Sequence, residues 1–60
     1  MNTHLYELKN IEMGRSLRRV LRMSRANGES YRKIAEKISA TGTPVGRTVV
    51  EKWCKALGIN

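Results

Sequence analysis

Apolar residues recur at helical spacing in four stretches of the chain, set apart by glycine-containing breaks at Gly14, at Asn27-Gly28 and at Thr41-Gly42-Thr43-Pro44-Val45-Gly46. The stretches run to roughly 10–15 residues, longer than ordinary strands. The one dense β-branched cluster, Thr48-Val49-Val50, is too short and isolated to argue for a sheet. The pattern therefore predicts an all-α protein. In residues 1–13, Leu5, Leu8 and Ile11 fall every third position, and Asn2 or Thr3 could cap a short helix. The stripe is thin and chain ends fray, so a loose arm is the alternative. In the second stretch Ser16 stands at the cap, Leu17, Val20 and Leu21 form the inward stripe, and Asn27-Gly28 suits a left-handed stop.

The third stretch has the clearest amphipathic pattern. Ser30 is a good N-cap, with Glu29 adding negative charge at the helix's positive end. Tyr31, Ile34, Ala35 and Ile38 occupy one face, with Arg32, Lys33, Glu36 and Lys37 on the other. The fourth stretch has two possible starts. Thr43 can cap a helix with Pro44 in its first turn, or the turn continues and the helix begins at Gly46 or Arg47. In either case Val49, Val50, Trp53, Cys54 and Leu57 line its inner side. Gly58 and Ile59 then predict a Schellman ending, with Ile59 folding back toward Trp53 or Cys54. The expected architecture is a compact three-helix core over residues 14–60, preceded by an arm or short helix over 1–13. With the last helix placed so late, neither a wing hairpin nor a second domain is expected.

Sixty residues fit one domain, and a chain this short buries only about 60% of the surface exposed when unfolded. A single cysteine excludes an intramolecular disulfide, and Cys54 with His4 makes no zinc ligand set. His4 has no catalytic partner in view, and there is little room for a substrate pocket. No enzyme activity, cofactor or metal is therefore expected. Met13 and Met23 are expected to fill gaps in the core. No apolar run approaches the ~20 residues of a membrane span, and the N-terminus lacks a signal-peptide core. A free thiol with no export signal suits a cytoplasmic protein.

Charge narrows the choice further. Twelve Lys+Arg against five acidic residues leave a formal charge of +7, which points to a polyanionic partner. Arg15, Arg18, Arg19, Arg22 and Arg25 crowd the second stretch with no acid among them. Such a cluster repels itself and exceeds what solubility requires. Nucleic acid and an acidic protein surface are both candidate partners. Tyr31 and Trp53 lie on apolar stripes, which favours core packing over base stacking.

Ser30-Tyr31-Arg32-Lys33-Ile34-Ala35-Glu36-Lys37-Ile38, a glycine-containing turn, and Val45-Gly46-Arg47-Thr48-Val49-Val50-Glu51-Lys52-Trp53 together resemble a helix-turn-helix. The likeness is to the small trihelical kind of resolvase and invertase DNA-binding domains and of phage and plasmid regulators, and covers roughly residues 30–58. The turn glycine usual in that family would fall at Ser39, whereas this chain has Gly42. Gly46 stands where a capping serine is common. The resemblance implies close helix approach at Ala35 and a shared core of Ile34, Ile38, Val45, Val50 and Trp53. It also implies a final recognition helix lying in the DNA major groove.

On that basis Arg47, Thr48 and Glu51 are the candidate base contacts. Arg47 can present a fork of two donors to guanine. Glu51 could accept from cytosine, clamp Arg47, or simply pair with Lys55 or Arg47 at the surface. Lys52, Lys55, Arg32 and Lys33 are candidate phosphate contacts, and Arg18, Arg19 and Arg22 could extend them along the backbone or reach a minor groove. The expected function is a DNA-binding transcriptional regulator, a repressor or architectural accessory associated with the nucleoid, with Leu5, Leu8 and Ile11 as a homodimer surface. The alternatives are a basic module docking onto transcription machinery or another acidic partner, an RNA binder acting through its arginines, and, last, a membrane-surface helix.

Overall fold

The computed structural model of the chain describes residues 3–59. They form α1 (Thr3–Glu12), α2 (Leu17–Ala26), α3 (Tyr31–Ser39) and α4 (Arg47–Ala56), with no strand among the described residues. Of the two expectations for the N-terminal stretch, the helix is the one formed. Asn2 lies outside the described residues, and Thr3 is the first helical residue rather than a cap.

Three helices end in the same way. Gly14, Gly28 and Gly58 all take left-handed φ angles, of +65°, +78° and +71°. The next N–H then reaches back to the last turn: Arg15 to the Asn10 carbonyl at 2.6 Å, Glu29 to Ser24 at 3.0 Å, and Ile59 to Cys54 at 2.8 Å. These Schellman closures satisfy carbonyls that a helix end leaves open. Ile59 packs back against the core as its position predicts.

The starts are less uniform. Ser30 caps α3 through its hydroxyl, which accepts from the Lys33 N–H at 3.1 Å. Ser16 does not cap α2. Its φ of −108° and ψ of 9° depart from the extended geometry of a capping residue, and its hydroxyl donates back to the Met13 carbonyl at 2.6 Å. The Asn10 side chain accepts from the Leu17 N–H instead, at 3.1 Å, so α1 supplies the cap of α2. The α4 helix begins at Arg47 with Gly46 before it, which excludes the earlier start at Thr43-Pro44. Thr43 is occupied elsewhere, and the Ser39 hydroxyl holds both polar groups of Val45, accepting from its N–H at 3.0 Å and donating to its carbonyl at 3.1 Å.

The buried apolar residues among those described are Leu17 and Leu21 from α2, Ile34, Ala35 and Ile38 from α3, and Val50, Trp53 and Cys54 from α4. Leu5, Tyr6 and Met13 pack against them from the N-terminal side, and Tyr6 meets Trp53 edge-on at 5.3 Å. Two sequence-based expectations fail here. Leu5 turns toward the core rather than outward with Leu8 and Ile11, because α1 lays one flank on the other helices. Met23 is 56% exposed and fills no gap, since α2 turns Leu17, Leu21 and Ser24 inward.

Among the described residues one charged side chain, that of Lys9, is buried completely. The Lys9 ammonium donates to Glu12 Oε1 at 3.1 Å and to the Thr43 carbonyl at 2.8 Å. Glu12 accepts in turn from the Thr43 N–H at 3.0 Å and hydroxyl at 2.7 Å. This knot fastens α1 to the loop before α4. It also accounts for Gly42, whose φ is +147° and where an added Cβ would lie 2.8 Å from the Glu12 carboxyl carbon.

A local strain remains at Arg15, which has a left-handed φ of +64° directly after Gly14. That conformation costs a residue with a Cβ about 1–2 kcal/mol, and glycine loses about 0.5–1 kcal/mol of that advantage in unfolded-chain entropy. Arg15→Gly is therefore expected to stabilise the fold by ~0.5–1 kcal/mol, read as a raised thermal midpoint in circular dichroism. A lowered midpoint would show that the Arg15 side chain contributes more than its backbone costs.

Candidate nucleic-acid interface

Packing of α4 decides which of its side chains are available. Val50, Trp53 and Cys54 turn inward, so Arg47, Thr48, Lys52 and Lys55 are exposed and Glu51 is half-exposed. Glu51 pairs with Lys55 at 3.0 Å, one turn on, rather than with Arg47. Its hydrogen bond and charge raise the Lys55 pKa. On α3, Lys33 is exposed, while Arg32 reaches Glu36 at 3.3 Å in a solvent-exposed pair of little energetic weight. Arg18, Arg19 and Arg22 stand exposed on α2. Among the described residues, Arg47, Lys52, Lys33, Arg18, Arg19 and Arg22 form no ion pair, so their charge is uncompensated.

The tertiary structure gathers only some of these groups. Arg47 and Glu51 of α4 face Ser30, Tyr31 and Arg32 of the α3 start and Arg25 of α2 across an open cleft of about 430 Å³. Thr48, Lys52, Lys55 and Lys33 lie outside its lining, as do Arg18, Arg19 and Arg22.

Arg25 is the cleft residue that sequence reasoning did not single out. Its guanidinium lies over the Tyr31 ring, 4.3 Å from the centroid, and its Nη1 donates to the Glu29 carbonyl at 2.6 Å. Its Nε is buried without a hydrogen-bond partner. The nearby Glu29 carboxylate is taken by Lys37, which bonds it at 2.9 Å and the buried Ser24 hydroxyl at 2.7 Å. The usable signal was the i, i+4, i+7 spacing of Arg18, Arg22 and Arg25, which places them along one flank of α2.

The aromatic and thiol groups belong to the packing. Trp53 is buried and Tyr31 half-buried beneath Arg25. Burial raises the Tyr6 pKa, while the charge of Arg18 draws it down. Burial likewise pushes the Cys54 thiol up, against the pull of Arg25, so it stays protonated and unreactive. Among the described residues no group of three His, Cys, Asp or Glu is placed to hold a metal, and no helix is long and apolar enough to cross a membrane. Comparison with known proteins finds no matching family model, curated protein or solved structure.

Proposed function

We propose that the chain is a sequence-specific double-stranded DNA-binding protein, with α3 and α4 acting as a helix-turn-helix on a three-helix core completed by α2. The observation that carries this reading is the division of α4. One side is seated on Ile34, Ala35 and Ile38 of α3, and the other offers Arg47, Thr48, Lys52 and Lys55 to solvent beside unpaired arginines. At ~1.5 Å per residue α4 spans about 15 Å, a length suited to a major groove about 12 Å wide. Gly46 carries no side chain at the cap, so Arg47 and Thr48 lead the helix and sit deepest in such a groove. A regulator of this size makes few base contacts alone, and Leu8 and Ile11, 40% and 63% exposed on α1, supply a surface for a second copy.

Selection of duplexes from a randomised pool at near-physiological salt tests the reading. An enriched motif is the expected result, with a palindrome marking a two-fold dimer. An unenriched pool, together with capture by an acidic protein surface, would replace DNA by the protein-docking alternative. Within the DNA reading two substitutions separate the roles of the helix. Arg47→Ala should cost about 1–3 kcal/mol of discrimination at a specific base pair. Lys52→Ala should weaken all duplexes alike and reduce the slope of log K against log salt by about 0.9. Equal, sequence-blind losses from both, in a fluorescence titration, would place α4 outside the groove.

A further inference from the structure

Arg25 is a cation held in place without an anion. The stack on Tyr31 and the bond to the Glu29 carbonyl fix its guanidinium, yet among the described residues no carboxylate neutralises it and its Nε has no acceptor. A partly buried charge left in this state is costly, and an anion entering the cleft would relieve it. The cleft is also biased toward anions. Arg32 and Arg47 line it with Arg25, Arg32 held only by its solvent-exposed pair with Glu36, and the lone carboxylate of the lining, Glu51, is engaged by Lys55. Along α2, Arg22 and Arg18 continue the same flank three and seven positions before Arg25, over about 10 Å of helix and with no acid among the intervening residues. Anions at successive intervals, rather than a single carboxylate, match such a row.

We propose that Arg25, with Arg32, seats a backbone phosphodiester of nucleic acid in the cleft between α2, α3 and α4, the strand running on along α2 past Arg22 and Arg18. This rests on the duplex-binding reading and adds to it a fixed anchor. Arg47 stays free for a base edge on the opposite lip, while Arg25 sets the distance between the strand and α4. A guanidinium already locked by stacking loses little side-chain freedom on binding, unlike the exposed Lys33 and Lys52.

The test compares Arg25→Gln with Arg15→Gln, which removes the same charge outside the cleft, in titrations of one duplex at several salt concentrations. Arg25→Gln should weaken binding about tenfold, the scale of one charge-assisted hydrogen bond, and lower the salt slope by about 0.9, irrespective of sequence. Arg15→Gln should do markedly less. Equal effects from the two variants would overturn the anchor and leave DNA binding intact, whereas a wild-type chain that binds no duplex would overturn the DNA reading itself. Wild-type protein provides a check that does not depend on the variants folding. The Nε–H resonance of Arg25 should shift on addition of duplex. Shifts in α4 amides with an unmoved Arg25 signal, or a response to millimolar inorganic phosphate but none to duplex, would each overturn the proposal.

Discussion

Glu12→Ala is expected to cost a large share of the folding stability. The substitution strands the Lys9 ammonium, 0% exposed, with only the Thr43 carbonyl as acceptor, and leaves the Thr43 N–H and hydroxyl without their partner. A buried cation deprived of its counter-ion costs about 3–5 kcal/mol. A domain of this length has only ~3–9 kcal/mol in total, at 0.05–0.15 kcal/mol per residue. Lys9→Met should be milder, because it removes the charge that needs compensation, while Glu12 keeps both Thr43 bonds and some access to water. Urea unfolding followed by circular dichroism orders the variants, and a Glu12→Ala midpoint equal to that of Lys9→Met would show that the ammonium finds another acceptor.

The same knot sets a pH dependence. Hydrogen bonding from the Thr43 hydroxyl, then from Lys9, holds the Glu12 carboxyl below its ordinary value of 4.5. A depressed folded pKa means that the contribution is fully present above the unfolded value and is lost as pH falls through the folded one. Acid titration of the wild-type midpoint should therefore decline below about pH 4.5, and Glu12→Gln should flatten that decline.

Trp53→Ala is expected to have the second large effect. Trp53 is 1% exposed, packs among the α2, α3 and α4 core residues, and takes the edge of Tyr6 from α1 at 5.3 Å. Truncating a buried aromatic of this size costs about 3–5 kcal/mol, and the lost ring pair adds roughly 0.5–1.5 kcal/mol. The variant should melt without cooperativity, and α1 should lose its hydrogen-exchange protection first. Trp53→Phe keeps part of the volume and the aromatic contact and should remain cooperative. A Trp53→Ala protein with a sharp transition near the wild-type midpoint would mean that the core closes over the cavity.

Alternation of apolar and polar positions was enough to place α2, α3 and α4 and to name their inward faces. Ile34, Ala35, Ile38, Val50, Trp53 and Cys54 repeat at the helical period whatever lies around them. The stops were equally legible, because Gly28 and Gly58 adopt left-handed backbone that other residues resist. The exposed face of α4 followed by subtraction, and with it the availability of Arg47, Thr48, Lys52 and Lys55.

Long-range pairing could not be read in the same way. Lys9 and Glu12, three residues apart, have the spacing of an ordinary surface pair, and the burial of Lys9 depends on Thr43, more than thirty residues further along the chain. The capping of α2 by Asn10 rather than Ser16 depends on how α1 turns at Gly14 and Arg15. The Arg25 cleft needs α2, α3 and α4 at once. Local conformational preference is a property of neighbouring residues, and the chain by itself therefore determined α2, α3 and α4, their glycine stops and most of their apolar faces, while the start of α4 and the state of residues 1–13 stayed open. Where a charge is buried, and which cations share a cleft, depends on desolvation by residues distant in sequence, and only the tertiary structure decided that.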